Sequence, residues 1–548
     1  MKKGFKNGLL VTGLFLASLT ISSCACSLFE YLVDSTVNGI IGENDSGTNI
    51  EVTNNVTPNQ EFEYKDKENE TISSRWTYSD VMSNGSDISC TPSLGTVNIL
   101  VVPIQFRDLS NFSSAQKKAI QSVFNGSNSD GTNSYWESVS SYYKKTSYEN
   151  LDLNFDVCDP FVPSYTSTMH HRYNRGNGEE VDQLLDEIYN NPSKLTMNGT
   201  KVDLEDASRY DANNDNFIDG IWLVYNEANS RNVDADHFWA YCSNYYGDYL
   251  ESGEKKLTFG KYANAAMSFM YSDSLLGYDA HTFIHETGHM FGLDDYYSYD
   301  LDGSKNGHIG GLDMMDLNIG DHSAFSKFSL GWIDAKVMYQ ESSKFTLRPF
   351  SSTGDCVILP ANYFNGTAFS EYIILEYYVP DGLNKLDANK GYTGSYPKMY
   401  NKSGILAYHV DARLMKQELK YKSRLNDYEK SFVGYVADTV ENVPTADVVS
   451  ADKFNAYPIA NSNTPSMNNV NSTFSLVSLL SSTGNSTYGK GVSASTNDMY
   501  TAASSKNSFS IDLLNKFFAN NSFNDGTKMS YKMTVESLGD EAIIKVER

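Results

Sequence analysis

Along the chain, apolar residues form continuous runs in some segments and follow helical spacing in others. Three apolar runs rich in β-branched or small residues, at 96–106, 220–226 and 262–270, predict strands. Runs of this length without polar alternation are typical of strands that are covered on both faces of a sheet. We therefore expect a buried sheet in the first half of the chain.

Helices are predicted between and after these strands. Residues 111–126 open with a serine cap and end in Asn-Gly, and residues 134–157 give a helix followed by an alternating strand. Further helices are predicted at 179–190 and over HETGH, residues 285–289. Because strands and helices alternate, the pattern predicts an α/β domain over residues 91–335.

Beyond Trp332 the pattern changes to short strands joined by polar linkers. The strand-like segments are KFTLRPF, DCVILPA, EYIILEYYV, SGILAYHVDARL, KMSYKMTVES and AIIKVER. Short alternating or apolar segments separated by turns are typical of antiparallel sheets. Residues 336–548 are therefore predicted to be a β-rich region with a sandwich-like arrangement.

The amino terminus has the pattern of an export signal. Lysines precede an apolar run from Leu9 to Leu19, which is too short to span a bilayer. The run is followed by Ile-Ser-Ser-Cys24, which resembles a bacterial lipobox. Residues 1–23 are thus predicted to be a lipoprotein signal peptide, with Cys24 lipidated and residues 24–90 a polar tether or pro-segment. An ordinary signal peptide with a nearby cysteine is the alternative.

The net charge and the cysteine spacing limit the partners and the cysteine chemistry that we expect. With 43 basic and 68 acidic residues the net charge is −25, so nucleic acid is not expected as a partner. The six cysteines form no CxxC pair or other zinc-like spacing. An exported chain permits one or two disulfides, although the spacing does not say which cysteines pair. A latency role for Cys90, with its thiolate capping a metal, is less favoured than a structural role.

The segment 285–297, HETGHMFGLDDYY, carries the strongest chemical pattern. Residues four apart share a helix face, so His285 and His289 can reach one ion, and Glu286 lies beside the first of them. Zinc lowers the pKa of a water ligand, and a neighbouring carboxylate can accept the proton. A solvated polar helix face is the alternative. The apolar flanking residues argue against it, because a buried helix must give its imidazoles partners.

A catalytic zinc site requires a third protein ligand. No glutamate occurs after Glu286 until Glu341, past the predicted domain end, so a glutamate from a later helix is not favoured. Gly292 can end the helix in the left-handed conformation and redirect the chain. That turn would bring Asp295 onto the ion, in the pattern HExxHxxGxxD, whereas Asp294 is one residue off. An ordinary glycine cap followed by an acidic loop is the alternative.

Several segments together resemble the M6 family of secreted bacterial metallopeptidases, the immune inhibitor A-type proteases. The matching stretches cover most of residues 95–415, and they are HETGHMFGLDDYY, GGLDMMD, HSAFSKFSLGW, SYYKKTSYENL, EYIILEYYV and GILAYHVD. Met314 and Met315 sit where metzincin peptidases place a methionine turn beneath the zinc. Two methionines alone are more often core residues.

The resemblance implies an α/β zincin fold of the metzincin type and a zinc-dependent endopeptidase activity. It also implies the roles of four residues, with Glu286 as the base and three zinc ligands, His285, His289 and Asp295. The chain departs from the commonest family pattern at Thr287, where many members carry an aromatic residue. That position does not take part in the metal chemistry.

The transition state of peptide hydrolysis needs an oxyanion stabiliser besides zinc. Metzincins often use a tyrosine two residues after the turn methionine, and this chain has no tyrosine there. His322, Tyr296 and Tyr297 are therefore the candidates. A packing role is the alternative for the tyrosines, because aromatic residues near a helix end usually pack.

A second candidate metal site is the loop DANNDNFIDG. Asp211, Asn213, Asp215 and Asp219 stand at offsets one, three, five and nine, and alternating oxygen ligands in a tight loop suit calcium. Offset twelve, where an EF-hand has glutamate, is Trp222, so the loop is not a full EF-hand. An Asn/Asp turn leading into the next strand is the alternative.

The sequence thus predicts an extracellular zinc metallo-endopeptidase, anchored through Cys24 on the outer side of a bacterial cell membrane or released. The expected cofactors are Zn²⁺ and, in the acidic loop, Ca²⁺. The expected partners are protein or peptide substrates, and the protein is expected to be a monomer. The alternatives are a surface ligand-binding lipoprotein with a structural or absent metal, and a non-peptide hydrolase on the same scaffold.

Overall fold

The structure is a computed structural model. It describes residues 67–74, 76–82, 89–126, 137–173, 179–227, 230–232, 235–245, 257–271, 277–298, 307–362, 364–392, 396–422, 427–432, 454–458, 462–463, 475–486, 493–518 and 521–548. The predicted signal peptide and Cys24 lie outside the described residues. Among the described residues, no helix has the length and apolar character needed to cross a membrane.

The strands of the described residues are numbered in chain order. They are β1 (Glu70–Ser73), β2 (Gly95–Ile104), β3 (Leu151–Val157), β4 (Thr196–Met197), β5 (Thr200–Lys201), β6 (Phe217–Ile218), β7 (Ile221–Tyr225), β8 (Ser230–Asn232), β9 (Ala235–His237), β10 (Tyr241–Asn244), β11 (Thr258–Phe259), β12 (Lys261–Ala266), β13 (Asp334–Val337), β14 (Ser342–Leu347), β15 (Cys356–Pro360), β16 (Glu371–Tyr378), β17 (Gly404–Asp411), β18 (Leu414–Lys422), β19 (Asp427–Phe432), β20 (Phe454–Pro458), β21 (Val477–Leu479), β22 (Ser508–Phe509), β23 (Lys532–Leu538) and β24 (Ala542–Glu547).

The α-helices are numbered in the same way. They are α1 (Tyr78–Met82), α2 (Ser114–Asn125), α3 (Val139–Thr146), α4 (Ser167–Tyr173), α5 (Glu179–Asn190), α6 (Ala207–Tyr210), α7 (His281–Met290), α8 (Met314–Leu317), α9 (Ala324–Ser329), α10 (Phe350–Thr353), α11 (Lys385–Asn389) and α12 (Ile511–Leu514).

The first half of the chain forms a five-stranded sheet in the order β10-β12-β7-β2-β3. Strands β12, β7, β2 and β3 pair in parallel, and β10 is antiparallel to β12 at the edge. The buried strands predicted at 96–106 and 220–226 are β2 and β7. The strand predicted at 262–270 is shorter than expected, because β12 ends at Ala266 and a 3₁₀ turn follows over Met267–Met270.

Side chains of this sheet alternate between two cores. Val97, Ile99 and Val101 of β2 belong to the core that contains helices α2, α3 and α7. The residues between them, such as Leu100 and Val102, belong to a second core on the α5 face. Because successive strand residues point to opposite faces, a continuous apolar run covers both sides at once.

The second half of the chain forms two further sheets. A six-stranded sheet has the order β1-β13-β15-β16-β17-β21, and a four-stranded antiparallel sheet has the order β14-β24-β23-β22. A third core contains residues of both sheets, such as Ile373 and Leu375 of β16 and Ile544 and Val546 of β24. These two sheets therefore pack on one another through apolar side chains.

The two predicted halves are not separated at residue 335. Strand β13 spans that boundary, and Trp332 donates its indole N–H to the Ser93 carbonyl at 2.7 Å. The core above the first sheet also includes Ile358 and Tyr372 of the second half. The site described below is therefore enclosed by residues from both halves.

Part of the polar segment 24–90 is folded. Strand β1 pairs antiparallel with β13, and Tyr78 of α1 is buried against Phe325 and Phe369. A free tether would make no such contacts, so the tether interpretation does not hold for β1 and α1. A packed pro-segment remains consistent with these contacts and stays a prediction.

Candidate metal centre

Helix α7 is buried along its whole length and carries the HETGH segment. Phe283 and Ile284 lie in the core above the first sheet, and the helix packs on β10 and β12. His285 and Glu286 are 0% exposed, so the imidazole and the carboxylate both lie within the fold. Polar groups in such a place need partners or a bound ion.

Gly292 turns the chain after the helix. Its φ is +99°, a backbone conformation that strains any residue with a Cβ. The space is also limited, because a Cβ on Gly292 would lie 3.0 Å from the Cβ of Tyr78. The turn allows Asp295, three residues later, to fold back toward the helix.

Three side-chain atoms converge at this point. Nε2 of His285 lies 2.9 Å from Oδ1 of Asp295 and 3.1 Å from Nε2 of His289. Nε2 of His289 lies 3.3 Å from the same carboxylate oxygen. Among the described residues, these three are the group of His, Cys, Asp or Glu side chains placed to share one metal ion.

The hydrogen bond at Nδ1 of each imidazole determines whether Nε2 faces the other two side chains with a hydrogen or with a lone pair. Nδ1–H of His285 donates to the Met314 carbonyl at 2.8 Å, and Nδ1–H of His289 donates to the Leu293 carbonyl at 2.6 Å. A carbonyl oxygen only accepts, so each Nδ1 carries the hydrogen and each neutral ring presents a lone pair at Nε2.

Two nitrogen lone pairs and a carboxylate oxygen within about 3 Å repel one another unless a cation lies between them. Ligand atoms about 2.0–2.1 Å from a tetrahedral zinc lie ~3.3 Å from one another. The separations of 2.9, 3.1 and 3.3 Å are close to that spacing. Two imidazoles and one carboxylate are also a donor set that zinc accepts, so these residues fit the ion.

The electrostatics of Asp295 suit a ligand. Burial by itself would raise the pKa of this carboxyl, but positive charge and hydrogen-bond donors at the positions of His289 and His285 outweigh burial and lower it. A cation held between two neutral imidazoles would lower the pKa in the same direction. The carboxylate is therefore ionised, the form that binds a cation. Among the described residues, Asp294 does not belong to the group of side chains placed to share an ion.

The methionine segment lies directly beneath the triad. Besides the bond from His285 to the Met314 carbonyl, the Met315 carbonyl accepts the backbone N–H of Tyr296 at 2.7 Å. A Cβ on Gly288 would lie 2.5 Å from Sδ of Met315, so a glycine in α7 allows the close approach. Segment 314–315 thus orients His285 and fixes the loop that follows Asp295.

Glu286 and Thr287 lie between the two histidines. The charge of Glu286 is among those that raise the pKa of Tyr143, after burial and Asp313, and the Tyr143 hydroxyl donates to the Ile284 carbonyl at 2.7 Å. Thr287 accepts the indole N–H of Trp222 at 3.2 Å and donates to the Phe283 carbonyl. Thr287 therefore links helix α7 to strand β7 by a hydrogen bond. The presence of threonine, where many members of the M6 family carry an aromatic residue, did not predict this contact.

The three oxyanion candidates differ in what they contact. The Tyr296 hydroxyl is hydrogen-bonded to Ser326 Oγ at 2.8 Å in the core, which argues against an oxyanion role. The Tyr297 ring lies 6.3 Å from the His285 ring and is the tyrosine nearer to the triad by ring contacts.

His322 is enclosed by Tyr142, Tyr143 and Trp332, and neither of its ring nitrogens has a hydrogen-bond partner. Burial, with Lys327 and His285 nearby, lowers its pKa well below the usual range. His322 is therefore a neutral core histidine that faces a cavity of about 20 Å³ lined by Asp313 and Glu376, enough room for one water.

The candidate calcium loop folds as a network of carboxylates and backbone N–H groups. Asp211 accepts N–H bonds from Asp215 and Asn216, and Asp219 accepts one from Ala212. Burial, with the charges of its acidic neighbours, raises the pKa of Asp219 to about 8.

Asn213 donates its side-chain N–H to Asp215 at 2.9 Å, so both face one another within the loop. The three carboxylates are not a convergent ligand group, in contrast to the triad. The Asn/Asp turn accounts for these contacts, and calcium binding stays a prediction.

Two contacts around the triad were not predicted. Tyr78, from the segment assigned as a tether, packs on the Gly292 turn, and Nδ2 of Asn463 donates to the Asp295 carbonyl at 3.4 Å. Tyr78 is 214 positions from Gly292, and Asn463 is 168 positions from Asp295. The spacing of apolar residues around Tyr78 and Asn463 does not predict contacts over such separations. By contrast, Tyr143 lies in SYYKKTSYENL, a stretch that the family resemblance already marked.

A scan against models of known protein families and a search of curated proteins found no match for this chain. The assignment of the site therefore rests on the residues and their geometry.

Proposed function

We propose that this protein is a zinc-dependent endopeptidase whose metal ligands are His285, His289 and Asp295. The observation that carries the proposal is the convergence of two imidazole lone pairs and an ionised carboxylate, with both Nδ1 atoms fixed by carbonyl oxygens. A bound zinc would polarise the scissile carbonyl and lower the pKa of a water. The position of Glu286 between the histidines supports catalysis over a structural metal, since a structural site needs no base.

Glu286 is the residue to which we assign proton transfer. It is buried beside His285, where a carboxylate accepts a proton from water more readily than in bulk solvent because burial disfavours its charged form. It would then deliver that proton to the amine that leaves. The Nδ1–H bonds of His285 and His289 to carbonyl oxygens hold the ring orientation in which Nε2 faces the centre.

The edge of the first sheet supports a peptide as substrate. Strand β10 is the last strand of this sheet in the part of the chain that the structure describes, and α7 packs directly on it. An extended peptide can align beside the outer strand of a sheet and add to it by main-chain hydrogen bonds. Ester or glycan substrates gain nothing from such an edge.

That sheet has four parallel strands and one antiparallel edge strand, and helix α7 packs on the pair β10 and β12 at this edge. This topology also supports the zincin fold of the metzincin type. The lipobox-like segment at Cys24 supports export and anchoring on the outer side of a bacterial membrane, and the net charge of −25 supports a partner other than nucleic acid. A monomer and a calcium ion in the 211–219 loop complete the proposal.

The deciding experiment maps cleavage products by mass spectrometry after the purified protein is incubated with a mixed proteome. New internal peptide ends should appear, vanish with a chelator and return when zinc is restored. A protein that holds no zinc and generates no new ends would favour the ligand-binding lipoprotein. Retained zinc with turnover only of ester or glycan substrates would favour the non-peptide hydrolase.

A further inference from the structure

Helix α1 lies against the turn that follows helix α7. Its first residue, Tyr78, is 1% exposed, so the side chain is enclosed. The three atoms nearest to a Cβ placed on Gly292 all belong to Tyr78, with its Cβ at 3.0 Å and its ring atoms Cγ and Cδ1 at 3.4 Å. The tyrosine therefore covers the turn that directs the chain toward Asp295.

The same ring also reaches the residue after Asp295, through Phe325. The rings of Tyr78 and Phe325 meet edge to face with their centroids 6.5 Å apart, and the ring of Tyr296 lies 6.5 Å from that of Phe325. Tyr296 directly follows Asp295, and Gly292 precedes it by three positions. Because aromatic pairs favour a small set of geometries, the loop that carries Asp295 is supported at both of its ends.

Two hydrogen bonds join α1 to the end of α7 by a second route. Ser79 donates its hydroxyl to the Cys90 carbonyl at 3.3 Å, and Thr91 donates its backbone N–H to the carbonyl of Met290, the last residue of α7, at 2.9 Å. Residues 89–91 thus connect the two helices. The place of α1 beside the turn is therefore fixed by bonds that do not involve the Tyr78 hydroxyl.

The start of α1 packs on a second glycine turn. Thr77 donates its backbone N–H to Oδ2 of Asp80 at 2.8 Å, and the Thr77 hydroxyl accepts the Asp80 N–H at 3.2 Å, which holds the first turn of the helix. Cγ2 of Thr77 lies 3.1 Å from the place that a Cβ on Gly331 would take. Gly331 follows α9, the helix that carries Phe325. Helix α1 thus lies between the turns that follow α7 and α9.

The hydroxyl of Tyr78 does not account for its position. The hydroxyl oxygen has no hydrogen-bond partner among the described residues, whereas the ring packs edge to face on Phe369 with centroids 5.1 Å apart. A buried hydroxyl without a partner disfavours folding. It is therefore the ring that fits this place.

We propose that Tyr78 is a positioning residue of the metal centre. Its ring holds the Gly292 turn in the conformation that brings the Asp295 carboxylate to Nε2 of His285 and of His289. Tyr78 acts on the loop rather than on the ion, in the way that partners of metal ligands orient those ligands. This inference rests on the proposed function, since it requires that the three side chains bind zinc.

The test is a zinc titration of the full chain and its variants in competition with a chromophoric chelator. Tyr78→Phe keeps the ring and should keep the wild-type zinc affinity. Tyr78→Leu should weaken zinc binding by about 10-fold or more, the lower end of the range for lost outer-shell partners. Phe509→Leu is the matched control, because Phe509 is a fully buried ring of the third core, to which no described residue of 285–296 belongs. It should destabilise the fold in urea and leave the zinc affinity unchanged.

Wild-type affinity in folded Tyr78→Leu, or an equal loss in Phe509→Leu, would overturn the positioning role and leave the proposed function intact. The same loss in Tyr78→Phe as in Tyr78→Leu would overturn the role of the ring. Tyr78→Met, whose flexible side chain fills irregular space, takes the place of Tyr78→Leu if that variant does not fold, and the same loss is expected of it. A wild-type chain that binds no zinc would instead overturn the proposed function, and this inference with it.

Discussion

Oδ1 of Asp295 lies 2.9 Å from Nε2 of His285, although the two residues are ten positions apart and belong to different elements. The contact exists because helix α7 ends near Met290 and the chain reverses at Gly292. Asp294, one residue earlier, is not in the group of described side chains that could share a metal ion. Replacing Asp294 and replacing Asp295 should therefore affect metal binding differently.

Replacing Asp295 should remove the metal, and replacing Asp294 should not. Loss of outer-shell partners already weakens metal binding by about 10–100-fold, so Asp295→Ala should weaken zinc binding more than ~100-fold. Asp294→Ala is the matched control, since it removes the same charge from the same loop. Zinc content after dialysis, measured by atomic emission, distinguishes the two, and equal loss in both variants would show that the loop charge, rather than a ligand, matters.

The assigned base is tested by a change that keeps its shape. Glu286→Gln cannot accept a proton from water, so kcat should fall by at least the ~10²–10⁴-fold that general base catalysis contributes. Zinc content should stay at the wild-type level, because the proposed ligands His285, His289 and Asp295 are unchanged. The measurement is initial cleavage rate on casein beside metal analysis of the same preparation. A variant with normal zinc and normal rate would remove Glu286 from the mechanism.

A side chain at the Gly292 turn should lower both the stability of the fold and the affinity for zinc. Gly292→Ala places a Cβ at φ +99° and 3.0 Å from Tyr78, so we expect a loss of about 1–3 kcal/mol in the free energy of unfolding and weaker zinc binding. Gly366→Ala is the control, since Gly366 has φ +77° and nothing lies within 4 Å of a Cβ placed there.

The control should lose stability through strain alone and keep its zinc affinity. Urea unfolding and a zinc competition titration measure the two quantities. Unchanged zinc affinity in Gly292→Ala would mean that the turn does not set the position of Asp295.

Glu376 should make the protein less stable as pH rises. Burial, together with Asp321 and Asp313 and against Lys327, raises the pKa of this carboxyl from 4.5 to about 8. A raised pKa in the folded state stabilises the fold below the unfolded value of 4.5, and that contribution is lost as pH rises toward 8. Glu376→Gln should therefore match wild type near pH 4 and exceed it near pH 9, by on the order of a few kcal/mol.

The measurement is the free energy of unfolding by urea at several pH values, with metal held saturating. Glu205→Gln, at an exposed position, serves as control and should leave the pH profile of wild type unchanged. If Glu376→Gln and wild type keep parallel profiles from pH 4 to 9, the buried carboxyl is not the source of the pH dependence.

The spacing of apolar residues predicted much of the secondary structure. Helix 179–190 and the strands at 96–106 and 220–226 were expected from spacing alone, because burial on one or both faces imposes a period that the sequence shows directly. The strand at 262–270 was too long by four residues, since small and apolar residues fit a strand and a 3₁₀ turn equally well.

The candidate metal ligands could be chosen from short segments of the sequence. The spacing of His285 and His289 on a helix, and a glycine three residues before Asp295, are local features with local geometric consequences. The residues that surround these candidate ligands became known only from the folded chain. The hydrogen bond from His285 to the Met314 carbonyl, the packing of Tyr78 on Gly292 and the contact of Asn463 with Asp295 join segments far apart in the chain. No pattern within one segment specifies such contacts, because they depend on how separate elements pack around a shared core.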